Sequence, residues 1–228
     1  MGPQDSFRET TRTEKRSGLA RMSSEIARVR MTGQERRAQL LDVGRTLFAE
    51  RGYEATSVEE IATRAKITKP VVYEHFNGKE GLYAVIVDRE VQDLLGRITR
   101  SLEGDHPRAL LAQAAEAFLT YIEEEPQGFR ILVRDSPVTS ATGTLASVIG
   151  DIASQVEYIL EDQFKERGFD RKLAALYSQA LVGMVALVGQ WWLDTGEPKR
   201  EVVAAHLVNL AWHGLDGLEK KPSLHPKR

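Results

Sequence analysis

The chain has 228 residues, 42% of them hydrophobic, and a net charge of −2, enough apolar material for one large or two small cored domains. It contains no Cys, which excludes disulfides, thiolate metal sites and cysteine nucleophiles and suits a reducing cytoplasm, where we expect the protein to act. We expect no signal peptide, because no charged-then-apolar pattern opens the chain. The longest apolar run, residues 180–193, is too short to span a bilayer, so we expect a buried helix and no membrane contact.

Charge is distributed unevenly along the chain. Residues 1–83 hold 15 Lys and Arg against 12 Asp and Glu, whereas the remainder holds 16 against 21. A modestly basic N-terminal part followed by an acidic remainder is typical of a nucleic-acid-binding domain joined to a second domain. Residues 1–31 are Arg-rich and are expected to form a flexible arm, which is either a solvated tail or a basic arm that contacts DNA phosphates or a minor groove.

The first predicted helix spans residues 33–51. Thr32 and Glu35 form a capping box at its start, and Gly52 is placed to end it. Arg36 and Arg37 lie in its first turn, where positive charge opposes the helix dipole. They are either phosphate contacts or ordinary solvated arginines.

Two short helices follow, joined by a tight turn. Ser57 followed by Glu60 is a second capping box, and Thr68, with Pro70 just inside the next helix, begins residues 69–76. Two such helices form a helix-turn-helix, whose second member enters a DNA major groove.

The same region resembles a known family over about residues 36–83. The resemblance rests on Gly-Tyr-Glu-Ala-Thr-Ser at 52–57, Glu-Ile-Ala at 60–62, Lys-Pro-Val-Val-Tyr-Glu-His-Phe at 69–76 and Lys-Glu-Gly-Leu-Tyr at 79–83. These stretches are similar to the N-terminal domain of the TetR family of transcriptional regulators. That resemblance implies an all-α protein that binds DNA with its head and dimerises through its body.

The predicted DNA-binding residues come from the helix-turn-helix pattern and from the family resemblance. The front of the recognition helix supplies Thr68, Lys69 and Pro70, with Val72 placed to touch a thymine methyl group. The resemblance implies that Tyr73, His75, Lys79 and Thr56 meet the phosphate backbone. The full predicted set is Arg36, Arg37, Thr56, Ser57, Thr68, Lys69, Pro70, Val72, Tyr73, His75 and Lys79. Because Pro70 and Val71 offer few hydrogen bonds, methyl contacts or indirect readout are expected to carry part of the specificity.

The remainder of the chain also follows a helical period. Asn77 followed by Glu80 predicts the start of a long helix, and a break at residues 104–107 ends it. The predicted helices are residues 79–103, 107–124, 127–135, 139–167, 171–195 and 199–218. The fold is therefore predicted to be all-α, with about nine helices: three in a DNA-binding domain of residues 32–83 and six in an effector-binding and dimerisation domain of residues 84–219. Residues 220–228 are expected to form a loose tail.

The predicted helix of residues 171–195 is apolar on nearly every side, so it needs cover from a cavity, a partner chain or both. Together with the last helix, whose small residues permit close approach, it predicts a homodimer interface. An apolar effector such as an acyl chain is expected among Phe118, Tyr121, Phe129, Leu132, Val148, Ile152, Val156, Met184, Val188 and Trp192. The alternative for each of these residues is an ordinary core position.

The sequence thus predicts a homodimeric, ligand-responsive regulator, a repressor, that binds a roughly palindromic DNA operator. An activator of the same family stays open. A helical protein-binding dimer and an enzyme are further alternatives, but no glycine-rich phosphate loop or nucleophile elbow supports catalysis. His206 and His213 are seven residues apart rather than three or four, so we expect no metal site and no cofactor.

Overall fold

A computed structural model describes residues 31–104, 106–133 and 145–224, with side chains described from residue 150 in the last range. The predicted arm up to residue 30, Asp105, residues 134–144 and the last four residues of the tail lie outside the described residues. Within the described ranges the protein is all-α, as predicted. The helices are α1 Gly33–Ala55, α2 Val58–Arg64, α3 Lys69–Phe76, α4 Lys79–Ser101, α5 Pro107–Glu124, α6 Pro126–Val133, α7 Leu145–Arg167, α8 Ala174–Thr195 and α9 Arg200–Asp216, with a 3₁₀ turn at Arg171–Leu173 before α8.

Contacts divide the chain after Gln39, within α1, into two units. In the N-terminal unit, the Thr32 N–H donates to Glu35 Oε2 at 2.7 Å, and the Glu35 N–H donates to Thr32 Oγ1 at 3.2 Å. This reciprocal pair is the predicted capping box. It satisfies two N–H groups that the first turn of a helix otherwise leaves without partners.

The head of the second unit consists of α2, α3 and the adjoining parts of α1 and α4. Its core is apolar and closed, with completely or nearly completely buried side chains: Leu40, Leu47, Phe48, Ile61, Val72, Phe76 and Leu82. Gly52 has φ 82°, a conformation that favours glycine, and it kinks α1 where the sequence predicted an end. Helical residues continue past this kink to Ala55.

The predicted starts of α2, α3 and α4 are correct in position, but the role predicted for Asn77 is wrong. The Ser57 side chain accepts from the Glu60 N–H at 3.2 Å, and Thr68 precedes α3 without a side-chain bond. Asn77, predicted to cap α4, instead ends α3 in the left-handed conformation at φ 58°, and Gly78 precedes α4. Asn tolerates that conformation well, so the same residue type serves either end of a helix.

The body is built from α4 to α9. The helix pairs α7–α8 and α5–α9 pack over the greatest lengths, and α4 packs against α5, α6 and α7. Four helix ends match the sequence closely: Pro107 opens α5, Asp170 accepts from the Lys172 N–H before α8, and Gly168 and Gly196 follow α7 and α8 with positive φ.

The prediction that α8 is a buried helix is wrong. Leu176, Leu187 and Trp191 are 62%, 70% and 53% exposed, so a long side of the helix is uncovered in a single chain. Residues 171–195 are long and apolar enough to cross a membrane by length and composition alone, but core helices of soluble proteins meet the same criterion. The sequence predicted that a partner chain packs against this helix, and the uncovered side is where such a partner would pack.

Candidate DNA-binding head and effector cavity

The turn between α2 and α3 is set by a left-handed residue. Lys66 has φ 55°, its N–H donates to the Thr63 carbonyl at 3.1 Å, and the Ile67 N–H donates to the Ala62 carbonyl at 2.9 Å. This pair of bonds is a Schellman motif, which ends a helix sharply while satisfying its last carbonyls. Because Ile67 then packs against the core, α3 is held at a fixed angle to α2.

One side of α3 faces the core and the other faces solvent. Val72 and Phe76 are buried at 0% and 6% exposure, so the prediction that Val72 touches a thymine is wrong in this conformation. The exposed side carries Thr68, Lys69, Pro70 and Tyr73. Tyr73 is 53% exposed. Position 72 faces the core of the head, so an apolar residue is needed there for packing, whether or not it contacts DNA.

Both predicted lysine contacts already have partners. The Lys69 ammonium pairs with Glu59 on α2, and both side chains are more than half exposed. The Lys79 ammonium donates to the Tyr53 carbonyl at 2.9 Å and lies 4.0 Å from the centre of the Tyr53 ring. An exposed ion pair contributes only about 0–1 kcal/mol, so a DNA phosphate can replace Glu59 at Lys69 at little cost.

Thr56 and Ser57 differ despite being adjacent. Thr56 is 2% exposed and its hydroxyl donates to the Gly52 carbonyl at 2.8 Å, so its side chain supports the kink in α1 and does not reach a phosphate here. Ser57 is exposed at the start of α2. His75 is half-buried, and Arg36 and Arg37 belong to the N-terminal unit, where Arg36 donates to Gln39.

The body contains two adjoining apolar cavities of about 70 and 140 Å³. They share a wall formed by α4, α5, α7 and α8: Ile98, Leu111, Ala114, Ile152, Val156 and Leu181. The first cavity has an entirely apolar lining. The second, which extends to α9, adds Gln155, Gln163 and Trp212. The pair therefore suits a ligand with an apolar body and a polar end near the glutamines.

Three predicted effector residues line these cavities: Phe118, Ile152 and Val156. Four others are core residues away from the lining: Tyr121, Phe129, Leu132 and Trp192, all at most 5% exposed. The Trp192 indole donates to the Pro198 carbonyl at 2.7 Å. Met184 lines a shallow groove between α8 and α9, Val188 packs against the core, and the Val148 side chain lies outside the described residues.

The contribution of α4 and of the small residues of α5 to the cavities was not predicted from the sequence. Leu94 and Ile98 lie on the predicted helix of residues 79–103 but were not predicted to contact an effector, and Ala114 is too small to stand out as a ligand contact. The signal that could have found them is the coincidence of a long apolar stripe on α4 with alanines at helical spacing on α5. Large residues fill space, whereas a cavity forms where facing residues are small.

A polar cluster lies where α1, α4, α5 and α6 meet. We call Arg45, Glu90, Tyr121 and Glu125 the junction cluster. The Arg45 guanidinium donates to Glu90 Oε1 at 2.6 Å, to Glu90 Oε2 at 3.2 Å and to Glu125 Oε2 at 2.7 Å. The Tyr121 hydroxyl donates to Glu90 Oε2 at 2.9 Å. Sequence patterns gave no indication of this cluster, because its members lie 45 and 31 residues apart.

Burial sets the electrostatics of the junction cluster. Glu90 is 7% exposed and Tyr121 is fully buried. Burial, with the neighbouring Glu90 carboxylate, raises the pKa of the Tyr121 hydroxyl. The hydrogen bond to Glu90 raises the pKa of the Arg45 guanidinium, against the opposing effect of burial. The tyrosine therefore stays a donor and the arginine a cation throughout the physiological range.

Gly128 on α6 closes the cluster. An added Cβ would overlap Glu90 Oε2 and lie 2.6 Å from Tyr121 Oη and 2.8 Å from Arg45 Nη2. Only a residue without a side chain lets α6 approach this closely.

Comparison with known proteins decides the family. Residues 40–86 match the family model described as bacterial regulatory proteins of the tetR family, and residues 107–214 match the tetracyclin repressor-like C-terminal domain. The chain is also 30% identical over 188 residues to the HTH-type transcriptional activator FasR of Mycolicibacterium smegmatis, covering 82% of this chain and 85% of that protein. The chain belongs to the TetR family.

Other TetR-family relatives resemble it over shorter stretches or in structure. The HTH-type transcriptional repressor KstR2 of Rhodococcus jostii is 45% identical over 62 residues, which is 27% of this chain and 30% of that protein. A TetR-like regulator from Rhodococcus sp. RHA1 superposes with a TM-score of 0.70 at 27% identity, covering 83% of this chain and 100% of that one. The regulator PfmR of Thermus thermophilus gives a TM-score of 0.63 at 28% identity, covering 79% of this chain and 98% of that one.

As a TetR-family protein, the chain is a DNA-binding transcriptional regulator with an N-terminal helix-turn-helix and a helical C-terminal domain. Its relatives are regulators, a non-enzymatic class of protein. The predicted family and fold class are thereby confirmed.

Proposed function

We propose that the protein is a homodimeric repressor that binds a palindromic operator and responds to an apolar effector. In this proposal residues 32–83 form the DNA-binding domain and residues 84–219 bind effector and dimerise. The observation that carries it is the position of α4. Its first turns bury Leu82 and Tyr83 in the core of the head, and Leu94 and Ile98 further along the same helix line the cavities.

The effector we propose has a long apolar body, such as an acyl chain, and a polar end. Phe118, Ile152 and Val156 contact the apolar part, and the amides of Gln155 and Gln163 are available to the polar end. The cavities are smaller than the roughly 300–1,000 Å³ of typical ligand sites. An acyl chain must therefore separate the surrounding helices, and α4 transmits that movement to the head.

The dimer is supported by exposed apolar side chains on the last two helices. On α8 these are Leu176, Leu187 and Trp191, and on α9 they are Val202 and Leu210, between 42% and 70% exposed. Apolar surface of this extent on adjacent helices is typical of a protein–protein interface. Two heads on two half-sites also supply the specificity that one recognition helix lacks.

A second candidate is an activator with the same architecture. The observation that favours it is the similarity over 82% of the chain to a protein named as an activator. The two candidates differ in where the operator lies relative to the promoter, so a reporter gene with and without the protein separates them.

The proposed contacts to DNA are Arg36, Arg37, Ser57, Thr68, Lys69, Pro70, Tyr73, His75 and Lys79. Lys69 gives the sharpest test, because Glu59 competes with phosphate for its ammonium. Lys69→Ala should weaken binding to all DNA sequences and reduce the slope of log affinity against log salt by about one. Glu59→Gln should strengthen binding, because it frees the ammonium and removes a charge that repels phosphate.

The measurement is fluorescence anisotropy with DNA from beside the protein's own coding region and with scrambled DNA, across a salt series. Lys165→Ala, an exposed lysine of α7, is the matched control and should change nothing. An unchanged salt slope in Lys69→Ala would contradict the phosphate contact. Titration with saturated fatty acids of increasing length tests the effector: the proposal requires release of the wild-type protein from DNA and a weaker response in Phe118→Ala.

A further inference from the structure

The junction cluster is a group of polar and charged side chains that joins the head to the body. Arg45 lies on α1, whose apolar side forms part of the core of the head, whereas Glu90, Tyr121 and Glu125 belong to α4, α5 and the turn before α6. The forked guanidinium holds Glu90 through two N–H groups, which fixes direction as well as distance.

Stability alone does not account for this cluster. Moving an arginine and a carboxylate out of water costs free energy that their attraction only partly returns, and apolar replacements are often as stable. Directional hydrogen bonds favour a single arrangement of the helices that carry them, whereas apolar contacts do not. Gly128 reinforces this, because its missing side chain lets α6 lie directly against all three polar groups.

The cluster is also one helical turn from the cavities on two helices. On α4, Glu90 is four residues before Leu94, and on α5, Tyr121 is three residues after Phe118; Leu94 and Phe118 both line the first cavity. Residues three or four apart share a helix face. A movement of α4 against α5 that enlarges the cavity therefore changes the distances between Arg45, Glu90 and Tyr121.

We propose that Arg45, Glu90 and Tyr121 are positioning residues that hold the head at one orientation relative to the body, and that this junction is the part that an effector loosens. The role in effector response rests on the proposed function, whereas the role in orientation does not. Arg45 and Glu90 act on DNA binding only through the position of the head, since neither lies on the exposed side of α3.

The test measures head orientation directly within one chain. The protein has no Cys, so Glu74→Cys on α3 and Glu166→Cys on α7, both exposed, accept one spin label each. Labelled protein diluted into excess unlabelled protein then reports the intrachain distance by double electron–electron resonance. Wild type should give one narrow distribution. Arg45→Met/Glu90→Met, which leaves no unpaired charge between these two positions, should broaden it at least twofold while the helical content stays unchanged.

Two further variants make the result specific. Arg200→Met/Glu123→Met removes an ion pair that links α9 to α5 and includes no residue of the junction cluster, and its arginine is 22% exposed, close to the 26% of Arg45. It should retain the narrow distribution. Tyr121→Phe removes one hydroxyl and keeps the ring in the core, so it should fold and broaden the distribution by less than the double variant.

The outcomes separate the two proposals. A junction variant as narrow as wild type, or a control pair as broad as the junction variant, overturns the positioning role. The operator anisotropy of the same unlabelled proteins is a separate readout: the junction variant should bind about tenfold more weakly, and its release by fatty acid should fall at least fivefold. If wild type fails to bind the operator, the proposed function fails, while the distance measurement still decides the orientation.

Discussion

The junction cluster and the cavities lie one helical turn apart on the same two helices, yet they are built on opposite principles. At the junction, Glu90 and Tyr121 are buried, Arg45 and Glu125 are partly buried, and hydrogen bonds of 2.6–3.2 Å join the four side chains. In the cavities, apolar side chains face a space that none of them fills.

The difference shows how one pair of helices can be precise at one end and adaptable at the other. Directional bonds fail abruptly when a partner moves or is lost, because the remaining group keeps its desolvation cost. Apolar contacts weaken gradually, since dispersion and burial depend on total area rather than on particular pairs. Substitutions should therefore be costly at the junction and tolerated at the cavity.

The largest effect should come from breaking the ion pair on one side only. Arg45→Met leaves the buried Glu90 carboxylate with Tyr121 as its remaining partner in the cluster, and should lower the free energy of unfolding by about 3 kcal/mol. Arg45→Met/Glu90→Met removes the buried charge but leaves the Tyr121 hydroxyl without its acceptor, so it should restore part of that loss. Urea unfolding measures the free energy of unfolding of both variants. A double variant no more stable than the single one would show that an unpaired Glu90 charge is not what destabilises Arg45→Met.

A smaller effect separates the two regions directly. Gly128→Ala adds one methyl group at the junction, where it overlaps Glu90, and should cost about 2 kcal/mol. Ala114→Leu adds three carbons beside the cavities and should change stability by less than about 1 kcal/mol.

Gly150→Ala is the control for the glycine, because an added Cβ there meets nothing within 4 Å, and it should be neutral or slightly stabilising. If Ala114→Leu proved as costly as Gly128→Ala, the contrast between a fixed junction and a permissive cavity would be lost.

The smallest effect should be a pH dependence. Tyr121→Phe removes one hydrogen bond and should cost about 1 kcal/mol at neutral pH. The pKa of Tyr121 is raised in the folded state above the 10.0 of an ordinary tyrosine, so the stabilisation is fully present below pH 10 and is lost progressively as the pH rises above 10 towards the raised value. The stability gap between wild type and variant should therefore narrow between about pH 8 and about pH 11.

Tyr158→Phe, at a 74% exposed tyrosine on α7, is the matched control. Its unfolding free energy should follow that of wild type at both pH values. A gap at Tyr121 that stayed constant with pH would show that its hydroxyl ionises equally in the folded and unfolded chains.

What the sequence predicted well is local in origin. Ser57, Pro107 and Gly196 mark helix ends through bonds and backbone angles that involve only their neighbours, so their positions could be read directly. The recognition helix was located for the same reason. Its exposed side was assigned less well, because whether Val72 points to DNA or to the core depends on how α3 packs.

The errors and omissions are non-local. Arg45 and Glu90 are ordinary charged residues at helical positions, and only the packing of α1 against α4 makes them a pair. Trp192 and Phe118 have the same apolar character in the sequence, but Trp192 fills the core and Phe118 lines a cavity. Which of the two a residue does depends on the size of the residues that face it. A prediction from one sequence cannot supply that information.

The uncovered apolar side of α8 has a consequence for how the protein's stability can be measured. If a second copy covers Leu187 and Trp191, association contributes to the folded state through mass action, and the thermal midpoint rises with protein concentration. At a low protein concentration, the same chain would be less stable than in a concentrated sample. Its abundance and its folding are then linked, so a modest change in expression alters the fraction of chains able to occupy DNA.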